Sequence, residues 1–170
     1  NDIEQTIPPR GGRQQVLRLG HHLLKPAAHA GEATDLSGLL YAGLNSIKRR
    51  SLIFLISDFI SEPGWERPLT LLAQRHELVA IRLWDAREVA LPDAGVLVLE
   101  DAETGEQLFV DTSDPLFRQQ FQALAQEREA QLQASLRQAG VDLTSISTDA
   151  PLLASLTQRI VSRKKRARGR

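Results

Sequence analysis

Cysteine and methionine are both absent from the 170 residues, and aromatic side chains are scarce, with two Trp, one Tyr and five Phe. Without Cys there is no disulfide, no thiolate metal site and no thiol nucleophile, a composition that fits a reducing cytoplasm. No apolar run approaches the roughly 20 residues that span a bilayer, and no signal peptide is visible. Gly-x-Ser-x-Gly, Gly-x-Gly-x-x-Gly and Gly-Lys-Ser/Thr are missing too, which removes the usual hydrolase elbow and the usual phosphate loops. The lack of Met, together with a strand-like alternation over Ile3 to Ile7 that is already under way near Asn1, leads us to expect the later part of a longer chain.

What is present is a balanced charge, unevenly placed. Of the 21 basic residues, six stand in the tail over residues 163–170, leaving 15 against 21 acidic groups in residues 1–162. The body therefore carries about −6 and does not look made for nucleic acid. We expect one domain over residues 1–162 and a basic, disordered tail over 163–170. A nucleic-acid adaptor acting through that tail is the reading it would support, with binding that falls steeply as salt rises.

The chain is organised around Ser51 to Ile60. Five consecutive apolar residues, Leu52 to Ile56, predict a central strand covered on both faces, ending at Ser57-Asp58. Ligands of open α/β sheets bind beyond the carboxyl ends of the strands, where a carboxylate stays hydrated, so Asp58 is the first functional candidate.

Around this strand the periodicity predicts a covering helix over Arg13 to Leu24 and a second, marked by Leu36, Leu39, Leu40, Leu44 and Ile47, that is capped by Thr34 or Asp35 and ends in Lys48-Arg49-Arg50, whose charges suit its C-terminal dipole. A helix over Glu66 to Arg75 and a strand over Leu78 to Trp84 complete a parallel crossover. Val96 to Leu99 and Gln107 to Val110 read as an antiparallel hairpin. A long helix over Asp114 to Ala139 would turn Phe117, Phe121, Leu124, Leu132 and Leu136 to the core and stop at Gly140. Asp142 to Ser147 reads as a strand near an edge, and Pro151 to Val161 as a last helix.

Two readings of the carboxyl edge stand side by side. Thr34 and Asp58, a hydroxyl and a carboxylate on loops of one sheet edge, are hard oxygen donors of the kind that hold Mg²⁺ or Mn²⁺ with waters. Equally, they can be a helix cap and a loop cap. Asp35, Ser57 and Glu62 border them as candidates for a partner-binding loop. A metal-dependent phosphoesterase at this edge would draw on Asp35, Glu62 and Asp85. A Ser-His triad is disfavoured because His76 precedes a strand and so falls at the edge opposite Ser57.

Taken together, Ile7 to Arg13, Thr34-Asp35-Leu36, Ser51 to Phe59, His76 to Asp85, Arg87-Glu88, Leu91 to Gly95, Asp101 to Gly105 and Val110-Asp111-Thr112 resemble the second half of a bacterial domain-of-unknown-function family. Its members have a von Willebrand factor A-like domain and are often encoded beside MoxR-type AAA+ ATPases. The resemblance implies a Rossmann-like, doubly wound, mostly parallel sheet with helices on both faces, plus a small antiparallel hairpin. It also implies a metal-ion-dependent adhesion site built from three loops. Thr34 resembles the ligand of the second loop and Asp58 that of the third. The first loop, Asp-x-Ser-x-Ser, and its strand have no counterpart here, which predicts poor metal affinity and an unpaired edge that needs a partner chain, a rearranged strand order or a second copy. The function implied is a non-enzymatic protein-binding module, acting in the bacterial cytoplasm with a MoxR-like ATPase in the assembly or maturation of other proteins.

Overall fold

The computed structural model describes residues 3, 5–25, 34–100 and 107–150. The expected last helix, the basic tail and the hairpin turn over 101–106 lie outside the described residues. The elements in order are helix α1 (Arg13–Leu23), helix α2 (Leu36–Ser46), strand β1 (Leu52–Ser57), helix α3 (Glu66–Arg75) and strand β2 (Glu77–Trp84). Strands β3 (Val96–Glu100) and β4 (Gln107–Asp111), helix α4 (Pro115–Gln138) and strand β5 (Asp142–Ser147) follow. The fold is mixed α/β: a parallel sheet of three strands in the order β1-β2-β5, and a separate antiparallel pair, β3-β4.

Alternation along β2 decides where the core sits. Leu78 and Ala80 point to one face, where Leu36, Leu40 and Leu44 of α2, Leu69 and Leu72 of α3, and Leu136 of α4 close over them with Leu55 of β1. α2 buries only residues one turn apart on one stripe, Leu36, Leu40 and Leu44, which is why a spacing of three to four locates its core face. Val79 and Ile81 point the other way and form a small second cluster with Ile146 of β5. α4 ends where Gly140 takes a φ of 70°, and the Val141 N–H reaches back to the Leu136 carbonyl at 2.9 Å.

Several expectations need correction. β1 is not the central strand: β2 is, and β1 forms an edge among the described residues. Nor do the described residues cover β1 on both faces, for Leu52, Phe54 and Ile56 are each about half exposed. A continuous apolar run signals a buried environment, but it cannot tell which neighbours supply it. The helices that close the core, α2, α3 and α4, lie on one face of the sheet. α1 forms as expected but buries none of its residues, so it covers nothing tightly. Residues 5–10 form no strand, so the alternation near Ile7 does not become one. Of the five α4 residues expected in the core, Leu136 is buried and Leu132 packs beside it, whereas Leu124 is exposed. A helix of 24 residues runs about 36 Å, longer than the sheet it could cover.

Candidate functional site

At the carboxyl edge of the sheet, β1 runs out into a loop that the local sequence holds by short side-chain turns. The Ser57 hydroxyl accepts from the Phe59 N–H at 3.0 Å, and Asp58 Oδ1 accepts from the Ile60 N–H at 3.0 Å. The Ser57 hydroxyl also donates to Asp58 Oδ1 at 3.3 Å. Ser and Asp make such turns because their oxygens lie within reach of backbone two residues on. Phe59 pays for this geometry with a φ of 63°, a left-handed conformation costing about 1–2 kcal/mol for a side chain of its size. The conformation persists because the Phe59 ring is buried, its centroid 5.9 Å from that of Trp65.

The second loop is tied to the first. Asp35, and not Thr34, caps α2, its carboxylate accepting from the N–H groups of Ser37 at 2.9 Å and Gly38 at 3.3 Å. The Thr34 carbonyl accepts from the Ser61 hydroxyl at 2.8 Å and from the Glu62 N–H at 3.1 Å. Thus Thr34, Asp35, Ser57, Asp58 and Glu62 all stand on two joined loops, with Thr34, Asp58 and Glu62 exposed and Ser57 and Asp35 partly so. Of these, Asp35 is committed to its helix.

Mg²⁺ and Mn²⁺ ask for about six oxygen ligands in near-octahedral array. Among the described residues no cluster of three or more His, Cys, Asp or Glu side chains could hold a metal ion. Asp58 already shares one oxygen with Ile60 and Ser57. The donors present therefore do not by themselves meet the requirement. Ser57 and His76 are at opposite ends of β1, as expected, because His76 Nδ1 accepts from the Ser51 N–H at 3.3 Å.

Beside Asp58 the edge is hollow. A groove of about 520 Å³ runs between this loop and α4, bordered by Asp58, Ile60, Trp65, Arg82, Arg128 and Gln131. An adjoining hollow of about 400 Å³ shares Ile60, Arg82 and Arg128 and adds Trp84 and Val89. Arg82, a largely buried side chain of β2, is ion-paired with Glu129 of α4 between them. Further along the edge, the Arg87 N–H and then the Thr148 hydroxyl bond the Asp85 carboxylate and hold its pKa below the ordinary value. Ser61, Arg82 and Glu129 were not singled out from the sequence. Arg82 carried a signal, a charge inside the apolar run of β2, whereas Ser61 carried none.

Residues 1–131 match the family described as Protein of unknown function DUF58, and the chain belongs to that family. Among its relatives is the Uncharacterized protein Rv1480 of Mycobacterium tuberculosis, 37% identical over 162 residues that make up 95% of this chain and 51% of the relative. The Uncharacterized protein Mb1516 of Mycobacterium bovis matches with the same identity and coverage. The Uncharacterized protein MAV169 of Mycobacterium avium is 34% identical over 162 residues, 95% of either chain. The chain thus spans about half the length of the first two and nearly all of the third. No solved structure was found to match it. Among the described residues no helix is long and apolar enough to cross a membrane.

Proposed function

We propose that this chain is a von Willebrand factor A-like, non-enzymatic protein-binding module that presents the joined loops at the carboxyl edge of its sheet to a partner protein. The observation that carries the reading is the Ser61 bridge to Thr34, which makes one surface of the two loops that the family resemblance marks as ligand-bearing. Membership of DUF58 and the parallel crossover from β1 through α3 to β2 support it. The partner implied is a MoxR-type AAA+ ATPase or a protein that such an ATPase remodels. Any Mg²⁺ or Mn²⁺ bridge to that partner would need ligands beyond Thr34 and Asp58, supplied by chain outside these 170 residues or by the partner itself.

The test is calorimetric titration of Mg²⁺ and Mn²⁺ into this chain and into a longer one of the extent seen in the M. tuberculosis relative. Asp58→Ala serves as control, and binding of a MoxR-type ATPase is measured in parallel. The reading expects ATPase binding that Asp58→Ala abolishes and that Glu77→Ala, at the opposite sheet edge, leaves intact. Equal binding by both variants would move the partner surface elsewhere. Metal binding by the longer chain alone would show that this chain supplies the second-loop and third-loop ligands and lacks those of the first loop.

A further inference from the structure

We propose that the groove between the Asp58 loop and α4 receives a peptide segment of the partner that bears a carboxylate beside an apolar side chain, with Arg128 and Arg82 holding the carboxylate. The inference rests on the loop-binding function proposed above and names what the partner brings to that surface. The two hollows of about 520 and 400 Å³ share Ile60, Arg82 and Arg128, and each has the size of an ordinary ligand pocket. Ile60, 54% exposed, stands where they join, and Trp84 and Val89 border the smaller one. Apolar contact and charge are therefore offered side by side, and Asp58 lies at the rim.

The charge of the occupant follows from which groups along the groove already have partners. Four carboxylates border the two hollows, and each accepts a hydrogen bond from this chain. Asp58 accepts from the Ile60 N–H, Glu66 from the Gly64 N–H, Glu88 from the Asp85 N–H, and Glu129 from Arg82 and the Gln133 amide. The two guanidinium groups are less well supplied. Arg128 is exposed and forms no hydrogen bond or ion pair with the described residues. Arg82 gives one nitrogen to Glu129, but its Nε–H is buried without an acceptor. A buried donor left unpaired is costly, and a bound acceptor is a common reason for one to persist. The group the groove lacks is thus an anion, and the planar fork of a guanidinium matches a carboxylate through two parallel N–H bonds. A phosphate, with about twice the charge, would be repelled more strongly by the four carboxylates around it. A single carboxylate on an apolar segment fits both the charge and the wall formed by Ile60 and Trp84.

The test titrates blocked peptides, acetyl-Leu-Glu-Leu-amide and its Gln and Lys counterparts, into the whole chain while the arginine side-chain N–H signals are followed by NMR. The Glu peptide should shift the Arg82 and Arg128 signals to saturation. Arg128→Glu should weaken that binding by about tenfold or more with the circular dichroism spectrum and urea midpoint unchanged. Arg82 is left in place because its pair with Glu129 joins β2 to α4. Absence of a saturable shift would overturn the inference. Equal binding of the Glu and Gln peptides would also overturn it, by leaving only the apolar contact, and tighter binding of the Lys peptide would give the groove to a cation. Inorganic phosphate that binds more tightly than the Glu peptide would make it a phosphate site instead. A parallel measurement with a MoxR-type ATPase separates this inference from the function it rests on. Both Arg128→Glu and Asp58→Ala should lose ATPase binding. Loss in Asp58→Ala alone would keep the loops as the partner surface and remove the groove from it, whereas loss in neither would overturn both.

Discussion

The hydroxyl of Ser61 donates to the carbonyl oxygen of Thr34 at 2.8 Å while accepting from the Leu36 N–H at 3.1 Å. One side chain thereby joins the loop after β1 to the N-terminus of α2, across 27 residues of sequence. The two loops of the candidate site hold their relative position through this bridge and through the Glu62 N–H beside it.

Ser61→Ala removes a donor and an acceptor at once and leaves the Leu36 N–H without its side-chain partner. A loss of about 1 kcal/mol in urea unfolding is expected, with faster amide exchange at Leu36. Unchanged exchange there would mean that the loops are held by something else.

Asp35→Ala removes the cap of α2 and should cost about 1 kcal/mol, whereas Asp35→Asn keeps an acceptor and should cost only a few tenths. Chemical denaturation of the two variants decides it. Equal losses would point to a role for the charge of Asp35 rather than for its hydrogen bonds.

Arg82 and Glu129 bring a cation and an anion together between β2 and α4, with side chains 14% and 28% exposed. Removing one partner strands the other, so Arg82→Met or Glu129→Leu alone should cost roughly 1–3 kcal/mol. The double variant should cost clearly less than the sum, because neither charge is then left unpaired. A double-mutant cycle in urea measures the difference, and simple additivity would deny the pair any coupling.

Leu69 is fully buried between α3 and the sheet, and Leu124 on α4 is 57% exposed. Leu69→Ala should therefore cost about 2.5–5 kcal/mol through lost burial and the cavity it leaves. Leu124→Ala should stay within roughly 0.5 kcal/mol, as surface changes do. A large effect at Leu124 would show that the first half of α4 packs on something.

Asp85 and Asp111 both hold their carboxyl pKa below the ordinary 3.8, the first chiefly through the Arg87 N–H and the second chiefly through the Ser113 hydroxyl. A depressed folded value means that the unfolded chain takes up the proton first. Their contribution is thus complete above pH 3.8 and is lost as pH falls through the lower folded values. Urea unfolding at pH 6 and pH 3 should show a smaller drop in Asp85→Asn than in the parent chain. An equal drop would remove Asp85 from the acid-sensitive groups.

Most of the elements were legible in the sequence because they follow from local periods. Glu66 to Arg75 and Asp142 to Ser147 form the helix and strand expected of them, and the hairpin falls within a residue of its expected ends. The spacing of Leu36, Leu40 and Leu44 likewise marked the buried stripe of α2. By the same local logic the carboxyl end of β1 could be recognised as the place for Asp58. What the sequence could not determine was anything that depends on which segments meet. The run Leu52 to Ile56 reads as central whether a neighbour flanks it on one side or two, since apolarity records burial and not pairing. That β2 and not β1 lies in the middle of the three described parallel strands, that Ser61 reaches Thr34, and that Arg82 finds Glu129 were decided by tertiary structure alone, because each joins residues far apart in the chain through contacts that leave no periodic trace.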